Sequence, residues 1–120
     1  MLRYDSPVTE TARIPQSDTQ IDGCPMRAGE SIVTLLHAAN HDPSVYPEPH
    51  RFDITRADTH HHSFGGGAHF CLGAPLARVE AQMAIATLVR RLPTLHLTDR
   101  PMEYRTLPGF QGFARLLVAK

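Results

Sequence analysis

The chain has 120 residues, 12 Lys plus Arg against 12 Asp plus Glu, eight His, two Cys and no Trp, which suits one small domain or a piece of a larger one. A formal net charge of zero leaves no basic excess to neutralise phosphates or anionic lipid, so neither nucleic acid nor a membrane is an expected partner. The start lacks an apolar signal segment, no run approaches the roughly 18 apolar residues of a membrane span, and two cysteines are too few for a disulfide-stapled secreted scaffold. The expected location is cytoplasmic.

Met1-Leu2-Arg3-Tyr4 reads as the end of a helix that Asp5-Ser6-Pro7 terminates. From Asp18 to His37, Thr19-Gln20-Ile21 and Ser31 to Leu36 flank Asp22-Gly23 and Ala28-Gly29, and their Ile, Val and Thr favour strand. One small antiparallel sheet is expected there. Asn40 to His62 carries Pro43, Pro47 and Pro49 among polar residues, which forbids a continuous helix or central strand and predicts an irregular meander. Ala74 to Leu92 is the one long predicted helix: Pro75 sits in the first turn, Arg90 and Arg91 in the last, and Pro93 stops it. Leu72, Leu76, Val79, Met83 and Ala86 form one apolar stripe and Ala77, Ala81, Ile85, Leu88 and Leu92 a second, so burial on two sides is expected. Leu95 to Leu97, Tyr104 to Thr106 and Phe113 to Val118 read as short strands around turns at Pro108-Gly109 and Gly112.

The chemistry concentrates in Ser63 to Pro75. Gly65-Gly66-Gly67 permits positive φ and close approach of backbone to a ligand. Cys71 follows this loop and precedes the helix, so a thiolate there is expected to face the amides of Leu72, Gly73 and Ala74 at the positive end of the helix dipole. Burial of a bare thiolate costs several kcal/mol, and a metal cation would offset that cost. One cysteine cannot close a zinc or iron–sulfur site, but it can be the single axial ligand of a haem iron. Other readings stand beside this one. Cys71 alone could be an inert buried thiol, His60-His61-His62 with His69 and Cys71 could hold zinc, and a Cys24–Cys71 disulfide is a third arrangement. Cys24, in Gly23-Cys24-Pro25, reads as an ordinary loop or sheet residue.

Phe64-x-x-Gly67-x-x-x-Cys71-x-Gly73 resembles the haem-binding signature of the cytochrome P450 family, and Cys71-Leu72-Gly73-Ala74-x-Leu76-Ala77-Arg78-x-Glu80 is similar to its bacterial form. Arg3 to Val8, Ala39 to Pro43, and Pro49 to Asp53 with Arg56 resemble further landmarks of that family, in the same order. The resemblance implies an α+β, C-terminal fragment of the mainly helical P450 fold. It would comprise a small antiparallel sheet, a meander, the cysteine loop and one long buried helix, with residues 1–120 forming part of a single domain.

It further implies that Cys71 is the proximal thiolate and iron ligand, whose electron donation favours splitting of the O–O bond. Phe64 would flank the sulfur and haem, Gly67 admit the turn, and Gly73 let the helix approach the cofactor. His69 and Arg13 would pair with haem propionates, although each also reads as a surface group. Val8, Thr9 and Phe110 become candidate substrate contacts. Arg3 resembles the arginine of the family's Glu-x-x-Arg motif, and Arg51 the meander arginine that joins it. The glutamate of that motif would fall before Met1, and without it both guanidinium groups are expected to be unpaired. Arg78 reads as a helix-surface charge or part of a basic face for an electron donor.

The function implied is a haem-thiolate monooxygenase portion that oxidises an apolar small molecule with O2. It would take electrons from a ferredoxin-like or flavin-containing donor and be a monomer at full length. The alternative is a truncated, inactive remnant with weak or no haem binding, because a cofactor needs two walls and one is encoded here.

Overall fold

The computed structural model describes residues 1–120. Eight short strands and two α-helices follow in order: β1 (Thr11–Arg13), β2 (Thr19–Ile21), β3 (Cys24–Met26), β4 (Ile32–Thr34), α1 (Leu36–Ala39), α2 (Ala74–Arg91), β5 (His96–Leu97), β6 (Glu103–Tyr104), β7 (Phe113–Arg115) and β8 (Val118–Ala119). The strands form four separate antiparallel pairs, β1 with β4, β2 with β3, β5 with β8 and β6 with β7. The single sheet expected between residues 18 and 37 is therefore two ribbons. Asp22-Gly23, both at positive φ, folds Thr19–Ile21 onto Cys24–Met26 as a tight hairpin. That leaves Ile32–Thr34 to pair with Thr11–Arg13 instead, and the predicted strand stops at Thr34 because Leu36 already opens α1.

The first residues make one helical turn, the Asp5 amide donating to the Met1 carbonyl at 3.0 Å. The meander is irregular, as its prolines require. Between Pro47 and Pro49, Glu48 is held at φ 47°, a left-handed conformation that costs a non-glycine residue about 1–2 kcal/mol. The guanidinium of Arg56 offsets that strain by donating to the carbonyls of Pro47 at 2.8 Å and Glu48 at 3.1 Å. Helix α2 starts with Pro75 in its first turn and ends where Leu92, at φ −131°, leaves helical geometry before Pro93.

The interior is small and polar. Arg3, Ser6, Asn40 and Ser63 are buried together with Leu36, Tyr46 and Ala74. Arg3 donates to the carbonyls of Asn40 at 2.6 Å and Pro49 at 2.9 Å and lies over the Tyr46 ring, 5.1 Å from its centroid. It is thus fully engaged without a carboxylate, contrary to expectation, because two backbone carbonyls and an aromatic face supply its partners. Arg51 does not join it. That side chain is exposed and pairs with Glu48 at 3.1 Å, since residue 51 faces outward and Arg56 occupies the inward position.

The burial expected for α2 is not met within this chain. Leu76, Val79, Met83, Leu88 and Val89 are exposed and only Ala74 is buried, because no other helix or strand lies extensively against it. The radius of gyration is 17.8 Å, against about 14 Å for a compact domain of this length. The accessible surface is 9631 Å², against roughly 6,500 Å² for a folded monomer of this mass. Many large apolar side chains are exposed, and no helix of the chain is long and apolar enough to cross a membrane.

Candidate cysteine-ligand site

The polar interior holds the start of the cysteine loop. The Asn40 side chain accepts from the His62 amide at 2.7 Å and donates to the Ser63 hydroxyl at 3.0 Å, and that hydroxyl donates to the Leu2 carbonyl at 2.7 Å. With its backbone carbonyl bound to Arg3, Asn40 ties together the N-terminal segment, the end of α1 and the loop. The sequence reading marked Ala39 to Pro43 as a landmark but gave Asn40 no part. An asparagine followed by His-Asp-Pro reads as a turn former, so composition does not mark it as buried.

From Ser63 the backbone curls back on itself. Gly65 (φ 72°) and Gly67 (φ 61°) occupy the left-handed region, whereas Gly66 is extended at φ −164°. Two of the three glycines are thus needed for conformation. A single 3₁₀ turn, Gly67–His69, follows, and the Cys71 amide donates to the Phe64 carbonyl at 2.9 Å, closing the loop. Phe64 is fixed from three sides: His61 at 5.6 Å, Phe70 edge-on at 6.2 Å, and the Arg78 guanidinium 5.4 Å from its centroid. Arg78 is therefore a cation over an aromatic face and not simply a surface charge.

Cys71 is exposed and free, as is Cys24, so no disulfide joins them. No hydrogen bond reaches its sulfur. The Ala74 amide, expected to face that sulfur, donates to the Cys71 carbonyl at 3.2 Å, because the chain turns directly into α2. The Leu72 and Gly73 amides make no backbone bond. A β-carbon at Gly73 would lie 3.8 Å from the Cys71 sulfur, which is ordinary contact, so the sulfur sits directly beside the helix entry.

The predicted propionate partners are placed differently from one another. Arg13 shares a cleft of about 450 Å³ with Gly65, Gly66, His62 and Thr34, where its guanidinium meets no carboxylate and donates to the Ala12 carbonyl at 2.7 Å. His69 lies exposed at the end of the 3₁₀ turn. Val8 and Phe110 are brought together as an antiparallel bridge, and the Thr9 amide donates to the Gly109 carbonyl at 2.9 Å. A larger hollow of about 780 Å³ between the N-terminal segment, the meander and α2 is lined by Arg3, Tyr4, Phe52, Arg56 and Ile85. It does not include the cysteine.

These residues fit a flat, metal-bearing, anionic group on one side. The sulfur is unbonded and accessible, the positions where β-carbons would stand at Gly66 and Gly67 are open, and Arg13 is a cation at the edge of the glycine cleft without an anionic partner. Zinc is not favoured by the same geometry. His60 and His62 meet ring to ring, His61 turns toward Phe64, and no three metal-ligating side chains converge.

This loop, helix and cleft suit a haem-binding protein. The family model for cytochrome P450 matches residues 1–114, and the chain belongs to the cytochrome P450 family. It is 50% identical over 117 residues to a biotin-biosynthesis cytochrome P450 of Bacillus subtilis, and 45% identical over 110 residues to the P450 monooxygenase PikC of Streptomyces venezuelae. These matches cover 98% and 91% of the chain but 30% and 26% of the relatives. The structure of P450BioI in complex with an acyl carrier protein ligated to hexadec-9Z-enoic acid superposes with a TM-score of 0.91, covering 98% of this chain and 30% of that one. CYP109E1 of Bacillus megaterium in complex with testosterone also gives 0.91, at 36% identity, with 98% of this chain and 33% of that one covered. The chain therefore spans about 30% of the length of these relatives, and proteins of its family bind haem through an axial cysteine.

Proposed function

We propose that this chain supplies the thiolate side of a P450 monooxygenase that oxidises an apolar small molecule with O2, residues 1–120 being part of one domain. The observation that carries the reading is Cys71, accessible and unbonded at the entry to α2 within a loop closed by its own amide. Bound haem supplies the oxygen chemistry. Cys71 would ligate the iron and donate electron density to it. The left-handed backbone at Gly65 and Gly67 keeps side chains off the cofactor face, Phe64 would flank the sulfur and the cofactor, and Arg13 and His69 would pair with the propionates. Val8, Thr9 and Phe110 contact the substrate, for which the acyl group bound to P450BioI's carrier protein is a fitting probe. A ferredoxin-like or flavin-containing protein delivers the electrons, the location is cytoplasmic, and the full-length protein acts as a monomer.

The test is the reduced, carbon-monoxide-treated spectrum of the full chain loaded with haem. Thiolate ligation gives the red-shifted Soret band specific to a cysteinate ligand, and Cys71→Ala abolishes it. A spectrum unchanged by that substitution overturns the assignment. A second reading, a remnant that binds haem weakly or not at all, is favoured by the exposed apolar face of α2. It predicts no stoichiometric haem uptake by the wild-type chain.

A further inference from the structure

Three histidines outside the cysteine loop stand in a column. The His37 and His41 rings are 4.5 Å apart and the His41 and His50 rings 5.1 Å apart, the latter pair stacked at 20°. Tyr4 closes one side, 5.9 Å from His41 and edge-on to Phe52 at 5.2 Å. Stacked rings direct their nitrogens past one another, so no metal-binding set forms. The column instead joins three chain segments: α1 and the turn that follows it contribute His37 and His41, the meander His50, and the N-terminal turn Tyr4.

We propose that the His37–His41–His50 column is a proton-sensitive latch on the cysteine loop: neutral imidazoles hold α1, the meander and the N-terminal turn together, and mild acid loosens that seat. The link to the loop is one peptide long. His41 follows Asn40, whose side chain holds the His62 amide and the Ser63 hydroxyl. The Nδ1 atom of His41 is within 2.9 Å of the His37 carbonyl, which fixes its ring over the end of α1.

Protonation acts against this arrangement for two reasons. The Nδ1 atom of His37 is buried with no partner, so a proton placed there becomes an unsatisfied buried donor. A charge on any one ring also repels a charge on the next, at a separation of about one ring stack. Burial, then the His41 and His50 imidazoles, hold the His37 pKa below the ordinary imidazole value, while the Asp5 carboxylate pulls the other way. Asp5 is itself occupied by the Gln111 amide. Tyr4 is the remaining titratable group against the column. Because the seated form takes up protons less readily than the open form, seating is strongest above about pH 6.5 and weakens as pH falls toward the lowered His37 value. This inference requires no cofactor and stands apart from the haem assignment.

Amide hydrogen exchange of the full chain between neutral and mildly acidic pH, corrected for intrinsic exchange, reads the latch at the His62 and Cys71 amides. Opening is expected to rise by up to about tenfold for each unit by which the His37 pKa is depressed. His50→Phe, at an exposed position, keeps an aromatic plane without the charge and is expected to reduce that rise in part, since the burial of His37 and the His41 ring remain. His61→Gln serves as the control, since burial and Arg78 also lower the His61 pKa, and it is expected to leave the rise in place. Imidazole NMR gives the second readout, with the His37 midpoint moving upward in His50→Phe. A flat exchange profile in the wild type, a rise reduced by His61→Gln but not by His50→Phe, or a His37 midpoint indifferent to residue 50 each overturns the latch.

Discussion

Val8 pairs with Phe110 across nearly the whole length of the chain. The Thr9 amide donates to the Gly109 carbonyl and the Gln111 amide to the Pro7 carbonyl, each at 2.9 Å, and the Gln111 side chain donates to the Asp5 carboxylate, so the two segments are zipped without the side chains of Val8, Thr9 and Phe110. Side chains at this zip are free to specify a ligand without being needed for the fold. Phe110 is 59% exposed, and Phe110→Ala is expected to change stability by no more than about 0.5 kcal/mol. If Phe110 touches substrate, the same variant loses the roughly 1.5–3 kcal/mol of burying a phenyl ring, or about ten- to a hundredfold in affinity. Thermal unfolding and the spectral shift of the haem-loaded full chain with a long-chain fatty acid check the two halves separately. Unchanged affinity would remove Phe110 from the substrate contacts.

The glycine run separates conformation from space. At Gly67, with φ at 61° and nothing within 4 Å of an added β-carbon, Gly67→Ala meets only the left-handed backbone penalty, about 1–2 kcal/mol. At Gly66 the backbone is extended and the space equally open. There Gly66→Ala is expected to be neutral or to stabilise by up to about 1 kcal/mol, because alanine restricts the unfolded chain. Urea unfolding of the two variants tests the contrast, and equal effects would mean that the loop does not hold these dihedral angles in solution.

The parts of this structure that local chemistry dictates were legible in the sequence. Pro75 and Pro93 bracket α2, the prolines of the meander exclude regular structure, and the Phe64 to Gly73 spacing locates the cysteine loop. Pairing was less legible, because Ile32–Thr34 has the same strand character whether its neighbour is Thr19–Ile21 or Thr11–Arg13, and only the tightness of the Asp22-Gly23 turn decides. Arg51 and Arg56 are indistinguishable by composition. Which of them points inward depends on the left-handed backbone at Glu48, which no propensity favours. The apolar stripes of α2 are legible in the sequence, but the burial they predict is not met within this chain, because a pattern cannot say what covers it.

Within the meander, Thr55 donates to the Asp53 carboxylate through its hydroxyl at 2.7 Å and its amide at 2.8 Å. The hydroxyl, then the amide, holds the Asp53 pKa below its ordinary value. Thr55→Val keeps the branched shape and removes only the hydroxyl, so the Asp53 midpoint is expected to rise while the amide still keeps it somewhat low. The sign for stability follows. A carboxylate with a depressed folded pKa contributes above its unfolded value, near 3.8, and that contribution disappears as pH falls through the folded one. Carbon-detected carboxyl titration of wild type and Thr55→Val checks this, and identical midpoints would show that the hydroxyl contact does not persist in solution.

Arg3 provides the sharpest test of the polar interior. Its guanidinium satisfies the buried carbonyls of Asn40 and Pro49 and covers Tyr46, and no carboxylate takes part. Arg3→Met preserves the length of the stem but leaves two carbonyls without donors. Each unsatisfied buried group costs about 1–3 kcal/mol, so a loss of about 2–6 kcal/mol is expected. Arg3→Lys retains one charged donor but cannot span both carbonyls or lie flat on the ring, and it should fall between Arg3→Met and wild type. The Asn40 acceptor is a backbone carbonyl that substitution leaves in place, so the side chain that can be tested against Arg3 is Tyr46: Tyr46→Leu combined with Arg3→Met should cost less than the sum of the single changes. Denaturant unfolding of the four proteins closes the cycle. Strict additivity would mean that the guanidinium does not lie on the Tyr46 ring in solution.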